Sequence, residues 1–275
     1  MCEPTACFEP DGELFVPTPL ANGPWAVGVL HGGPTGALLA HLCETCSGAS
    51  PGSLRVARIT VDLLRPVPLA PLRAEVRLAR PGRKVDWVDA SLFAGEVEVA
   101  RASALRLRGE PLALPPEVDP WSRGAPGDQA FNGSPEDGQT YARPGDDVVP
   151  GFHDRGVDLR FVRGLPNVSG PGQVWGRLRH PVIAGTPTSP LMRVMGCADF
   201  GNAASSLMPP DAVSFINADL LVSLWRQPEG EWIGIDAVTR ADPDRGTGLA
   251  EMALHDRLGP VGRAEQNLFL QAVRP

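Results

Sequence analysis

Two long segments of this 275-residue chain can be laid over one another, and that duplication limits the fold more than any single motif does. Pro34, at the head of "PTGALLAHLCETC", matches Pro190, at the head of "PLMRVMGCADFGNAASSL", 156 residues later. Asp62 in "ITVDLLRPVPL" matches Asp219 in "INADLLVSLWRQP" at an offset of 157, and Arg101 in "VARASALRLR" matches Arg263 in "VGRAEQNLFLQ" at 162. Between the copies, residues 109–150 are dense in Pro, Gly and Asp and carry neither a helical nor a strand period, which predicts a linker. The chain is therefore expected to divide into a unit over 5–108, a linker over 109–150 and a second unit over 151–273.

Each copy reads as one helix followed by several strands. In the first copy Gly33 is the expected N-cap and Pro34 the first helical residue, where a missing N–H costs nothing. Ser189 and Pro190 repeat the pattern in the second copy. Behind the helices come "RVARITVDLL", "LRAEVRLA", "KVDWVDASLF" and "EVEVARASALRLR" in copy one, and "AVSFINADLLVSLW", "EWIGIDAVTR", "GLAEMALHD" and "VGRAEQNLFLQAV" in copy two. Strands separated by turns rather than by further helices imply an antiparallel sheet, and a single long helix must bury its apolar face against it. The expected class is α+β, a helix wrapped by a curled sheet, twice.

Composition removes several classes of function. No apolar run approaches the roughly 18 residues of a membrane span, and the acidic, proline-bearing start "MCEPTACFEPDGELF" does not read as a secretory signal. Five cysteines (Cys2, Cys7, Cys43, Cys46, Cys197) form an odd, sparse set that suits a reducing compartment, so the expected location is cytoplasmic. A net charge of -7 without a basic tract argues against nucleic acid as the main partner. In "HLCETC", Cys43 and Cys46 are spaced like half a zinc site with His41 nearby, but no second ligand pair follows. Leu39, Leu42, Cys43 and Cys46 recur instead at helical spacing as a buried stripe, so no metal and no cofactor is expected.

The order "GPWAVGVLHGG" into a helix and then "DLLRPVP", repeated as "DLLVSLWRQPEGEWIGIDAVTR" and "GPVGRAEQNLFL", resembles the double-hotdog acyl-CoA thioesterases of the thioesterase II type, in their thioesterase-like branch. The resemblance spans nearly the whole chain apart from the linker. It implies two hotdog folds, a thioester site between them, and an acyl-CoA or other thioester as substrate, with a homo-oligomer left open. It also implies a water held by an Asp, a Ser or Thr and a Gln. Asp219, Thr239 and Gln266 stand where those types are expected, whereas in copy one the matching positions fall near Leu78 and at Ala104, so only the second copy is complete.

Thioester hydrolysis also needs donors aimed at the developing oxyanion. A helix start preceded by glycines supplies free N–H groups without a Cβ in the way, so Gly32 and Gly33 are expected to line an oxyanion hole. His31 has two places open to it, at the site or bonded to the neighbouring turn. Asp199, read as lying inside the second helix, is the second choice of base; its bland alternative is a buried carboxylate bonded to a neighbour such as Asn202. The same residues leave two other functions open. One is a non-catalytic hotdog binder of an acyl or aromatic ligand. The other is a hotdog dehydratase, whose chemistry uses a His with a carboxylate, although none of His31, His41, His153, His180 and His255 stands in a hydratase-like "GDxNPxH" setting.

Overall fold

The structure, a computed structural model, describes residues 4–47, 54–118, 131–141, 150–166, 168–207 and 213–272. The first copy contributes β1 (Phe8–Asp11), β2 (Leu14–Pro17), α1 (Gly32–Thr45), β3 (Leu54–Leu63), β4 (Leu72–Arg80), β5 (Val85–Ala94) and β6 (Val97–Arg108). The second contributes β7 (Val157–Arg163), β8 (Gly172–Leu178), α2 (Pro190–Ala198), a one-turn α3 (Gly201–Ala204), β9 (Val213–Asn217), β10 (Asp219–Leu224), β11 (Ile233–Asp242), β12 (Thr247–Asp256) and β13 (Gly259–Ala272). Both helices begin where the prolines lead them to, although α1 starts at Gly32 with His31 as its N-cap, two residues ahead of the expected Gly33 cap.

The strands form one antiparallel sheet in the order β1-β2-β4-β5-β6-β3-β10-β13-β12-β11-β8-β7, with β9 on β13. Read from its middle outward, the order is the same in both directions: β3, β6, β5, β4 on one side and β10, β13, β12, β11 on the other. The duplication has become a two-fold relation about the β3–β10 seam. Asp62 and Asp219, the landmarks that first revealed the repeat, are direct partners across it. Like charges directly opposite repel, and each is answered separately: Arg101 Nε donates to Asp62 at 2.8 Å, while the Asn267 amide N–H and side chain donate to Asp219 at 2.7 and 2.8 Å.

α1 and α2 lie together inside the curl of the sheet. Because α2 covers the side of α1 that the sheet leaves open, α1 is buried all round from Gly33 to Ala40, where the sequence suggests only a stripe. The close approach needs small residues, and Gly36 faces Met195 of α2. β1 reaches across the copies: the Phe8 N–H donates to Val182 O at 2.8 Å, and Ala184 N–H to Phe8 O at 2.9 Å. Within 109–150, the described residues 109–118, 131–141 and 150 contain no helix or strand, and the rest of that segment lies outside the described residues. Phe131 stacks edge-on against Trp175 of β8, so this stretch is packed on the second copy.

A buried ion pair closes the C-terminal end of α1. Arg106 of β6 holds Asp86 of β5 through two bonds of 2.7 Å, and its Nη1 donates to the Cys43 and Cys46 carbonyls at 3.2 and 2.8 Å. Removing the guanidinium leaves a buried carboxylate and the helix carbonyls unanswered, a loss of about 3–5 kcal/mol. Arg106→Met should therefore lower the urea midpoint strongly, and Arg106→Met combined with Asp86→Leu should recover part of the loss; a midpoint unchanged in the single variant would contradict this role.

Candidate active site

The N-terminal end of α1 and the C-terminal end of α2 meet at one carboxylate. α2 stops at Ala198 with Asp199 as its C-cap, and the chain turns through Phe200 into α3. Asp199 thus ends the second helix instead of lying within it. A negative charge at a helix C-terminus is unfavourable, but the same carboxylate faces the first turn of α1, where the helix dipole favours it. This packing explains "HGG". A Cβ on Gly32 would stand 2.7 Å from Asp199 Oδ2, and one on Gly33 would stand 2.7 Å from Gly196 O. Only glycine lets the carboxylate and the α2 backbone come this close.

Four donors converge on Asp199. His31 Nδ1 lies 2.8 Å from Oδ2; Gln266 Nε2 and Asn217 Nδ2 donate to Oδ1 at 3.0 and 2.9 Å; and the Gly33 N–H also serves the carboxylate. The Gly33 N–H is also 3.1 Å from His31 Nδ1. The two contacts cannot both be full hydrogen bonds to that nitrogen, because an Nδ1 lone pair at 2.8 Å from a carboxylate lone pair would be repelled. Nδ1 therefore carries the proton and donates to Asp199, and the Gly33 N–H belongs chiefly to the carboxylate. Burial pushes the Asp199 carboxyl up; the facing His31 and the other donors outweigh it and hold the group below its ordinary value of 3.8.

The surrounding residues form a polar brace. Asn202 Nδ2 donates to Asn217 Oδ1 at 2.7 Å, and the Asn202 N–H donates to Gln266 Oε1 at 3.3 Å. Gln266, in the body of β13, is fully buried and orients both of its amide ends. Thr239 pairs with Ala250, which in turn pairs with Gln266, so the three residues form one row across β11, β12 and β13 on the face under α3. Thr239 Oγ1 is 2.7 Å from Ser205 Oγ, and Ser205 already donates to Gly201 O at 2.9 Å, so the Thr239 hydroxyl gives its proton to Ser205. Thr239 thereby pins the far end of α3 as Gln266 pins the near end.

The structure thus gathers His31, Gly32, Gly33, Asp199 and Gln266, with Thr239 in the same row two strands away. It does not bring Asp219 to them. Side chains alternate along β10, where Leu220, Val222 and Leu224 are buried, and along β13, where Asn267 is exposed. Asp219 shares the outer face with Asn267, opposite the face of Gln266 and the helices. Asn217, Asn202 and Ser205 complete the brace without having been singled out as site residues. Asn202 and Ser205 stand three and six residues after Asp199, and Asn217 stands two before Asp219 in "INAD".

The sheet register also revises the comparison between copies. Arg101 faces Asp62 as Asn267 faces Asp219, so the copy-one counterpart of Gln266 is Ala100, four residues from the Ala104 obtained by aligning Arg101 with Arg263. Ala100 pairs with Leu92 and Leu92 with Ala74, so the row Thr239-Ala250-Gln266 is matched by Ala74-Leu92-Ala100. Asp199 is matched by Cys43, whose thiol is pushed up to about 12, chiefly by burial. The copy-one face is apolar, and the polar face belongs to copy two alone.

The family model for the acyl-CoA thioesterase N-terminal domain matches residues 21–107, and that for the C-terminal domain matches residues 135–270. The chain belongs to the acyl-CoA thioesterase family. It is a thioester hydrolase with the double-hotdog α+β fold. Among solved structures, a conserved protein of unknown function with a hot dog fold from Alicyclobacillus acidocaldarius aligns with a TM-score of 0.69 at 16% identity, covering 97% of this chain and 96% of that one. The tesB protein of Mycobacterium avium subs paratuberculosis aligns at 0.62 and 14% identity, covering 96% and 95%. The acyl-CoA thioesterase II TesB2 of Mycobacterium marinum aligns at 0.55 and 17%, covering 82% and 83%. At these identities the likeness speaks for the fold. No curated protein matches the chain. Among the described residues of the thioesterase, no helix is long and apolar enough to cross a membrane.

Because folding lowers the Asp199 pKa, its charge contributes fully to stability above the ordinary value of 3.8, and the contribution is lost as pH falls through the lower folded value. The stability of the wild-type thioesterase relative to Asp199→Asn should therefore be greatest near neutral pH and shrink in acid. Urea unfolding of both proteins from pH 7 to pH 3 measures this, and a gap that widens in acid would contradict it.

Proposed function

We propose that the thioesterase hydrolyses acyl-CoA thioesters at the cluster formed by the first turn of α1, Asp199 and the β13 face. The observation that carries this reading is the buried, ionised Asp199 carboxylate held against His31 and Gly33, with Gln266 on its other oxygen. A fixed negative charge beside an imidazole is suited to activating water, and the positive end of α1 is suited to receiving the oxyanion. The Gly32 N–H, at the first helical position, has no intrahelical carbonyl to meet and is the donor we assign to that oxygen. Asp199 takes the place at the site that the sequence pattern offers to Asp219. Gln266 keeps its place at the site by orienting Asp199, and Thr239 is assigned the positioning of α3 through Ser205. Two hotdog units over 5–108 and 151–273, joined by 109–150, remain the domain division we favour.

A second reading has an observation of its own. A His beside a carboxylate is also what hydration or dehydration of an enoyl thioester requires, and His31 with Asp199 supplies that pair. One assay separates the readings. A panel of acyl-CoAs and enoyl-CoAs is followed by free thiol with a thiol reagent and by absorbance of the conjugated thioester. Thiol release supports hydrolysis, loss of enoyl absorbance without thiol supports hydration, and binding without either change supports a ligand carrier. In the hydrolytic case Asp199→Asn should lower turnover by roughly 10² to 10⁴, while Asp219→Asn should leave it within a few-fold of wild type. The reverse pattern would return the charge to Asp219 and overturn the assignment.

A further inference from the structure

Resting on the thioesterase reading above, we propose that the proton of the attacking water is taken by His31 Nε2, and that Asp199 serves as its orienting partner instead of acting as the base. An ionised carboxylate offers about four lone-pair directions. On Asp199 these meet four donors: Gln266 Nε2 and Asn217 Nδ2 on Oδ1, and the His31 Nδ1–H on Oδ2 together with the Gly33 N–H. A water approaching Asp199 would have to displace one of them, and Gln266 and Asn217 are themselves held by Asn202.

His31 is in the complementary state. Its Nδ1 carries the proton that bonds Asp199, so the nitrogen that would present a lone pair in the neutral form of the ring is Nε2. Among the described residues no group hydrogen-bonds that nitrogen. The ring is held by two aromatic neighbours: Phe200 stacks on it with centroids 4.8 Å apart and planes 30° apart, and Phe152 packs against it at a tilt at 5.3 Å. A ring with one nitrogen bonded to a carboxylate, a phenylalanine stacked on it and the other nitrogen unengaged is preorganised to accept a proton along one direction. The positive charge it gains is met by Asp199.

The step balances without any further reactant. Water oxygen forms the bond to the thioester carbonyl carbon as Nε2 takes one water proton, and the carbonyl π pair moves to oxygen at the α1 N-terminus. Collapse reforms the carbonyl and breaks the C–S bond. The imidazolium returns its proton from Nε2 to the departing thiolate, leaving a carboxylic acid, a thiol and the starting enzyme.

His31→Asn separates the two bases. Its side-chain nitrogen can replace Nδ1 as the donor to Asp199, and Asn is a good N-cap for α1, but it has nothing in place of Nε2. With His31 as base, turnover in the thiol-release assay should fall by roughly 10² to 10⁴ with KM little changed, and added imidazole should restore part of the turnover of His31→Ala. His31→Asn turnover within threefold of wild type would overturn the proposal and move the base to Asp199, while absence of thiol release by wild type would overturn the thioesterase reading itself. A measurement on the wild-type protein covers the case in which variants fail to fold: nitrogen-15 NMR of the imidazole should show the neutral ring protonated at Nδ1. A neutral ring protonated at Nε2 would overturn the proposal.

Discussion

The site depends on one electrostatic contact, the Asp199 carboxylate seated on the first turn of α1. A buried charge is tolerated only when its hydrogen-bonding capacity is met, and here a helix start, an imidazole and two side-chain amides meet it. The demands of that contact reach outward into the sequence. Gly32 is required because a Cβ would stand too close to the carboxylate, 2.7 Å from its Oδ2, and Gly33 because α2 crosses there. α2 must stop at Ala198 so that Asp199 can leave the helix at the right point, and α3 then carries Asn202 back over Gln266.

At the other end of α1, Arg106 donates to the last carbonyls and is balanced by Asp86. The central helix is therefore complemented at both ends by buried side chains of the sign its dipole favours. The two devices come from different halves of the chain: copy two supplies the anion and copy one the cation. A faint counterpart of the Asp199 contact survives in copy one, where the Ser189 hydroxyl at the start of α2 donates to Glu44 near the end of α1 at 2.5 Å. Duplication made two such junctions. Only the one with His31, Asp199 and Gln266 has the polar groups for chemistry, while Ala74, Leu92 and Ala100 make its mirror an apolar core.

Much of this was legible in the sequence because a repeat leaves landmarks at nearly constant offsets. Pro34 and Pro190 mark both helix starts to within two residues, and "HGG" marks a close backbone approach. Asp62 and Asp219 stand out as equivalent, and they prove to be partners across the seam of the two-fold. That same equivalence misdirects the choice of carboxylate: strand alternation turns Asp219 outward to Asn267, and a one-dimensional offset carries no information about the face of a sheet. Asp199 was harder to place, since what makes it central is the start of α1, more than 160 residues earlier in the chain. β1, β2, β7 and β8 were not anticipated. The outer strands are short, four residues each in β1 and β2, and are held partly by bonds across the copies, such as Phe8 to Val182, which no local period reports.

The central claim is that thioester chemistry takes place where the α1 start meets Asp199. A crystal structure of the wild-type protein with an S-(2-oxoalkyl)-CoA, whose ketone mimics the thioester carbonyl but cannot be hydrolysed, tests it most directly. The account predicts the ketone oxygen at the first turn of α1, near the Gly32 N–H, and the carbonyl carbon one water molecule away from His31 Nε2. A ketone bound instead at the mirror face of Cys43 and Ala100, or on the outer face beside Asp219, would contradict it.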